Sequence, residues 1–158
     1  MFAECPGTET GKQDVLASQP HLRIPTYRTM YENCTTVRKN LELVQVRGGG
    51  GDGGGGDDSD EELDLSFLEN IREVHGYVLV VLSFVARIPL TSLRVIRGRR
   101  LFGDEGVHAA YSLYVAHNGV NASTGLRRLE MPSLVGQSTR LCCTSINQSI
   151  NLVKIKAP

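Results

Sequence analysis

The sequence predicts a mainly β domain of short stacked strands, an irregular parallel β-helix or leucine-rich-repeat-like solenoid. Three observations point there. Short apolar or alternating runs recur along the chain and end on Gly or Asn. "RIPLTSLRVIRG" (Arg87 to Gly98) spaces its apolar residues by two and three, which suits rungs that turn corners and belongs to no long helix or strand. Helix signals are scarce. A β-sandwich is the alternative, and it would want clearer hairpin turns.

In chain order, the polar start carries the turn formers Pro6, Gly7 and Gly11. A short helix is expected over 26–33 with Thr26 as N-cap, or from the 18–20 stretch with Pro25 breaking or kinking it. "NLELVQV" (Asn40 to Val46) alternates, with Leu41, Leu43 and Gln45 on one face. "LSFLENIREV" (Leu65 to Val74) reads as one helical turn or a bent strand–turn. "GYVLVVL" (Gly76 to Leu82) reads as a strand buried on both faces. "YSLYVAHN" (Tyr111 to Asn118) is another alternating strand, and "GLRRLEMPSL" (Gly125 to Leu134) repeats the leucine rung.

With 158 residues, 41% of them apolar and 22% charged, the chain is long enough for one domain with a real core. The formal net charge is zero, but unevenly spread. Residues 47–64 carry seven carboxylates and one arginine, leaving a mildly basic remainder of 16 bases and 10 acids. With 6% aromatic residues, that is too mild for a nucleic-acid binder. The longest apolar run, "YVLVVLSFVA" (Tyr77 to Ala86), is about half of the ~20 residues a membrane span requires. The start has neither a basic nor an apolar signal-peptide region, so by itself it reads as cytosolic.

The tract "RGGGGDGGGGDDSDEELDL" (Arg47 to Leu65) is the one stretch that looks like a ligand loop. A phosphate loop needs Lys and Ser or Thr opening a helix; here carboxylates follow, which repel phosphate. The oxygen spacing of a calcium loop is absent. The tract reads as a flexible acidic insertion. His21, His75, His108 and His117 are scattered without metal-ligand spacing, and Ser138 and Ser145 lack a nucleophile elbow. No protein-kinase motif occurs. No catalytic residue, metal or cofactor is assigned.

Cys5, Cys34, Cys142 and Cys143 contain no C-x-x-C pair, so a zinc site is not expected. Cys5 and Cys34 read either as a disulfide closing about thirty residues or as two free thiols. The neighbours Cys142 and Cys143 sit too close to bond each other. Sequons stand at Asn33, Asn121 and Asn147.

"CPGT" (Cys5–Thr8), "YENC" (Tyr31–Cys34), "NLEL" (Asn40–Leu43), "DLSFL" (Asp64–Leu68), "IREVHGYVLV" (Ile71–Val80) and "IPLTSLRVIRG" (Ile88–Gly98) occur in order, and "GLRRLEMPSL" continues them. Together they resemble the first receptor L domain of the epidermal growth factor receptor (ErbB) family of receptor tyrosine kinases, over residues 3–134. The resemblance implies a right-handed parallel β-helix with a short N-terminal helix, a Cys5–Cys34 disulfide, and glycosylation at Asn121, with Asn33 the poorer acceptor. It implies an extracellular growth-factor-binding module of a parent receptor in the plasma membrane. Its partners would be an EGF-like growth factor and other ErbB-type receptor chains. The kinase of a full-length member lies outside this chain, as do its cysteine-rich and transmembrane regions.

Carried over by motif, ligand contacts fall at Gln45, Leu82 and Ala116. Only Leu82 is a large apolar anchor, so the patch is expected to be weak. Lys39 stands where the family has Gly, and Ser83 where it has Asn. "FGDEGVHAAY" (Phe102 to Tyr111) is longer than the family's connection. The domain is expected over 1–134, with 47–63 as an inserted loop. Residues 135–158 form a divergent tail, aberrant or alternatively spliced, that lacks the family's last rungs. An open end is then expected to lower stability or promote aggregation. Other readings of the whole are a soluble decoy ectodomain and a cytosolic solenoid scaffold.

Overall fold

The computed structural model describes residues 3–9, 23–47, 63–103, 111–118 and 125–135, and the strand backbone at 152–156. The glycine tract at 48–62, Asn121, Asn147, Cys142, Cys143, His21, His108, Ser138 and Ser145 lie outside the described residues.

The fold is mainly β. Its strands are β1 (Ala3–Cys5), β2 (Cys34–Val37), β3 (Leu41–Val44), β4 (Glu73–Val74), β5 (Val78–Val81), β6 (Arg87–Pro89), β7 (Val95–Ile96), β8 (Tyr111–Ala116), β9 (Arg128–Glu130) and β10 (Leu152–Lys156). One helix, α1 (Arg23–Tyr31), and a single 3-10 turn at Ser66–Leu68 complete the described elements. Three sheets form, in the orders β1-β2-β4-β7, β3-β5-β8-β10 and β6-β9. Every pairing is parallel except β8 with β10. The chain visits the sheets in turn and returns one strand further along, so short apolar segments distant in sequence stack in register.

The alternation read in "NLEL" and the apolar run "YVLVV", read as buried on both faces, set that register. Leu41, Val78 and Leu113 align across β3, β5 and β8, as do Leu43, Val80 and Val115. All six are essentially buried and belong to one core with Val37, Val74, Ile88, Leu90 and Leu93. Burying each such side chain is worth about 1.5–3 kcal/mol. The opposite face of this sheet is also covered. Leu79 is 5% exposed, and Tyr77, Phe102, Tyr114 and Tyr111 form a chain of ring contacts with centroids 4.8–5.7 Å apart. Glu42, which alternation alone would leave in solvent, is 2% exposed and accepts the Tyr77 hydroxyl.

The helix starts earlier than Thr26. Pro25 lies in its first turn, where the missing N–H has no helical partner in any case, so no kink results. Thr29 donates instead to the Pro25 carbonyl at 2.9 Å. Tyr27 and Tyr31 enter the core, and the Val44 N–H donates to the Tyr27 hydroxyl at 3.2 Å, fixing α1 to the outer strand β3. Asp64 accepts the Ser66 N–H at the head of the 3-10 turn and pairs with Arg28 of α1. Hydrogen bonds from Ser66, then Arg28, hold its carboxyl well down, at about 2.

Two family departures are accommodated. Lys39 is not among the positive-φ residues, so it needs no glycine there. Ser83 is fully buried. Its hydroxyl accepts the Val46 N–H at 3.4 Å, and its own N–H donates to Asn118 Oδ1 at 2.8 Å, while Asn118 Nδ2 donates to the Val80 carbonyl. The buried backbone groups at this corner are thereby paired.

The expected open end is not fully open. Strand β10 lies antiparallel on β8, with Leu152 opposite Ala116, Lys154 opposite Tyr114 and Ile155 opposite Leu113. An unpaired β8 edge would offer a template for another chain. Deleting residues 152–156 is therefore expected to convert a monomer into concentration-dependent oligomers in sedimentation velocity. A deletion variant that stays monomeric at every concentration would show that β10 does not protect this edge.

Candidate functional site

Past the ends of β3, β5 and β8 the chain turns a corner three times. Gln45, Leu82 and His117 stand there, one position beyond the register row Val44, Val81 and Ala116. All three adopt left-handed backbone, with φ of 53°, 53° and 56°. That conformation costs an L-residue roughly 1–2 kcal/mol and is rare for a bulky side chain. The corners are held by the ladder. Gln45 N–H donates to the Val81 carbonyl at 2.9 Å, and Leu82 N–H reaches the Ala116 carbonyl at 3.4 Å.

Leu82 is 39% exposed, and it and Val135 are the exposed large hydrophobic residues among those described. Gln45 is half-buried, and its carbonyl accepts Arg23 of α1 at 3.1 Å. Ala116 does not join this surface. It is fully buried, in the row of Val81, and the residue aligned with Gln45 and Leu82 is the exposed His117. The strand "YSLYVA" continues to Ala116 and turns only afterwards, which puts His117 in register with Gln45 and Leu82. Beside the corner, Arg47 lies 4.7 Å over the Phe84 ring, at a parallel bridge between the two residues.

Cys5 and Cys34 form a disulfide with Cα atoms 5.7 Å apart, joining β1 to the start of β2. Asn33 is exposed, with φ of 61°, directly before the bonded Cys34. His75 faces Glu73 at 3.1 Å, and Arg97 donates to the same carboxylate at 2.7 Å. The Arg97 hydrogen bond, above all, lowers the Glu73 pKa. Among the described residues no three His, Cys, Asp or Glu side chains gather as metal ligands, and no helix is long and apolar enough to cross a membrane. The corner offers apolar contact and shape.

The family model described as receptor L domain matches residues 33–156. Over 136 residues the chain is 34% identical to receptor tyrosine-protein kinase erbB-2 of Rattus norvegicus, covering 82% of this chain and 10% of that protein. It is 36% identical over 110 residues to receptor tyrosine-protein kinase erbB-4 of Mus musculus, covering 70% of this chain and 7% of that one. It is 34% identical over 130 residues to the epidermal growth factor receptor of Gallus gallus, covering 82% and 16%. The chain thus spans about a tenth of the length of the curated relatives it matches.

Proposed function

The chain belongs to the receptor L domain family, and from that premise we propose that it is a growth-factor-recognition module of an ErbB-like receptor. It binds protein and performs no catalysis. Residues 1–134 form the body of the domain, a right-handed parallel β-helix with 47–63 as an inserted loop, and 135–158 its divergent end. The module lies on the extracellular side of the plasma membrane in its parent receptor. There an EGF-like growth factor, once bound, favours association with another ErbB-type chain. Asn121 and, less well, Asn33 accept glycans.

The observation that carries this reading is Leu82. A leucine held in left-handed backbone and left 39% exposed is unfavourable twice over for folding alone. The exposure of one leucine is ordinary by itself; its strained backbone is what points to a functional site, where a partner would cover it. Gln45 and His117 on the adjoining corners form its rim, the latter in the place first given to Ala116. With one apolar anchor rather than three, affinity for an EGF-like ligand is expected to be micromolar or weaker, since few central residues carry interface energy.

The test is surface plasmon resonance of the oxidised chain against immobilised EGF-like growth factors. Leu82→Asp is expected to weaken the best response about tenfold or more, while Val135→Asp, at the other exposed hydrophobic residue, leaves it unchanged. Equal binding by wild type and Leu82→Asp would remove this face from the proposal.

A further inference from the structure

A second surface lies at the corners between the first and second sheets, away from Leu82. The turn from β2 to β3 carries Arg38 and Lys39, the turn from β4 to β5 carries His75, and the segment after β7 carries Arg97, Arg99 and Arg100. Backbone hydrogen bonds stack them. His75 N–H donates to the Val37 carbonyl at 2.9 Å, Gly76 N–H to that of Lys39 at 2.9 Å, Gly98 N–H to that of Gly76 at 3.1 Å, and Arg99 N–H to that of His75 at 2.9 Å. Residues separated by some sixty positions are thereby brought to one edge, about 4.8 Å apart per rung. A cleft of about 170 Å³ opens there, lined by Arg38, Lys39, His75, Arg99 and Arg100, with Glu9 at its rim.

The charges do not cancel. Glu4 faces Arg38 at 3.5 Å, Glu9 pairs with Lys39, and Arg97 and His75 share Glu73. Arg99 and Arg100 are exposed and have no side-chain partner among the described residues. Among the described residues the positive surplus is therefore theirs. Among the described lining residues the His75 imidazole is the one aromatic ring, and it is paired with Glu73; none is a large apolar side chain that could anchor a peptide. What it offers is forked donors for a charged oxyanion, which arginine binds in bidentate fashion.

We propose that this stacked basic corner binds a sulfated polysaccharide, its sulfates meeting Arg99 and Arg100 and its chain running past Arg38 and Lys39 across the rungs. The choice of glycan rests on the ectodomain reading; the cleft itself does not. Binding of this kind releases counterions. Two neutralised contacts give about a tenfold loss between about 50 and about 200 mM salt.

The experiment is isothermal titration of the full oxidised chain with heparin, repeated with desulfated heparin and with polyglutamate. Arg99→Ser/Arg100→Ser is expected to weaken heparin binding about tenfold, with an unchanged melting temperature. Arg99→Lys/Arg100→Lys, which keeps the charge but loses the fork, is expected to recover only part of it. Arg127→Ser/Arg128→Ser, the same charge change on another sheet, is expected to leave it intact. Equal loss in that control would reduce the effect to net charge and overturn the site. Polyglutamate binding as tightly as heparin would make the ligand an acidic polypeptide, and absent heparin binding would remove it altogether. No growth factor enters this measurement, so its failure and that of the Leu82 surface are read separately.

Discussion

Replacing Cys5 and Cys34 together by serine is expected to lower stability by about 3–4 kcal/mol. Strand β1 has three residues and lies at the edge of its sheet, paired only with β2. The disulfide closes a loop across a sequence separation of 29, and both sulfurs are buried in the core. In the chain-entropy description, the cross-link removes disorder from the unfolded chain, and its loss restores that disorder. Without it β1 keeps a few backbone hydrogen bonds, such as Arg38 N–H to the Cys5 carbonyl at 2.9 Å, and detaches readily. Urea titration followed by circular dichroism measures the change. A domain of this size is expected to melt about 10 °C lower. A loss below about 1 kcal/mol would mean that the bond is peripheral to the fold.

The second large effect is expected at Gly76. It packs against the turn below it so closely that a Cβ there would sit 2.0 Å from Asn40 Oδ1 and 2.8 Å from the Lys39 carbonyl oxygen. Asn40 cannot simply swing away. It is 1% exposed, and its Oδ1 accepts the Tyr77 N–H at 3.3 Å. Gly76→Ala must displace that amide, leave a buried N–H unpaired at about 1–3 kcal/mol, and strain the stacked backbone besides. A total of about 2–4 kcal/mol is expected. Urea titration of Gly76→Ala measures it, and Asn40→Gly in the same background should recover the clash with the Asn40 side chain but neither the contact with the Lys39 carbonyl nor the hydrogen bond. A Gly76→Ala variant as stable as wild type would show that the two rungs are not in this contact.

The strands were legible for two reasons: "NLEL" alternates and places its leucines inward, and the unbroken apolar run "YVLVV" is buried on both faces. The family blocks gave the disulfide partner of Cys5, which spacing alone left open. Other features were not legible, each for a physical reason. The burial of Glu42 depends on the Tyr77 hydroxyl, a residue 35 positions away in sequence, and no local pattern encodes that pair. The corner at His117 rather than Ala116 depends on where a strand ends, and a one-residue shift moves a side chain from surface to interior. The strand Leu152–Lys156 pairs antiparallel with β8, a direction the stacked-rung pattern does not contain. The place of Pro25 was open, since its effect depends on its position in the helix, and only in the first turn is it harmless. The basic corner was invisible to composition, because its arginines and lysine are gathered from three separate turns.

The most direct test of the recognition proposal is a nitrogen–proton correlation spectrum of the oxidised chain titrated with an EGF-like growth factor, which reports binding even at high micromolar affinity. The expected result is saturable shifts concentrated at Gln45, Leu82 and His117 and their neighbours, which in Leu82→Asp need about tenfold or more ligand to saturate. Saturable shifts confined to other parts of the domain, or no shifts with any EGF-like ligand at millimolar concentration, would contradict it.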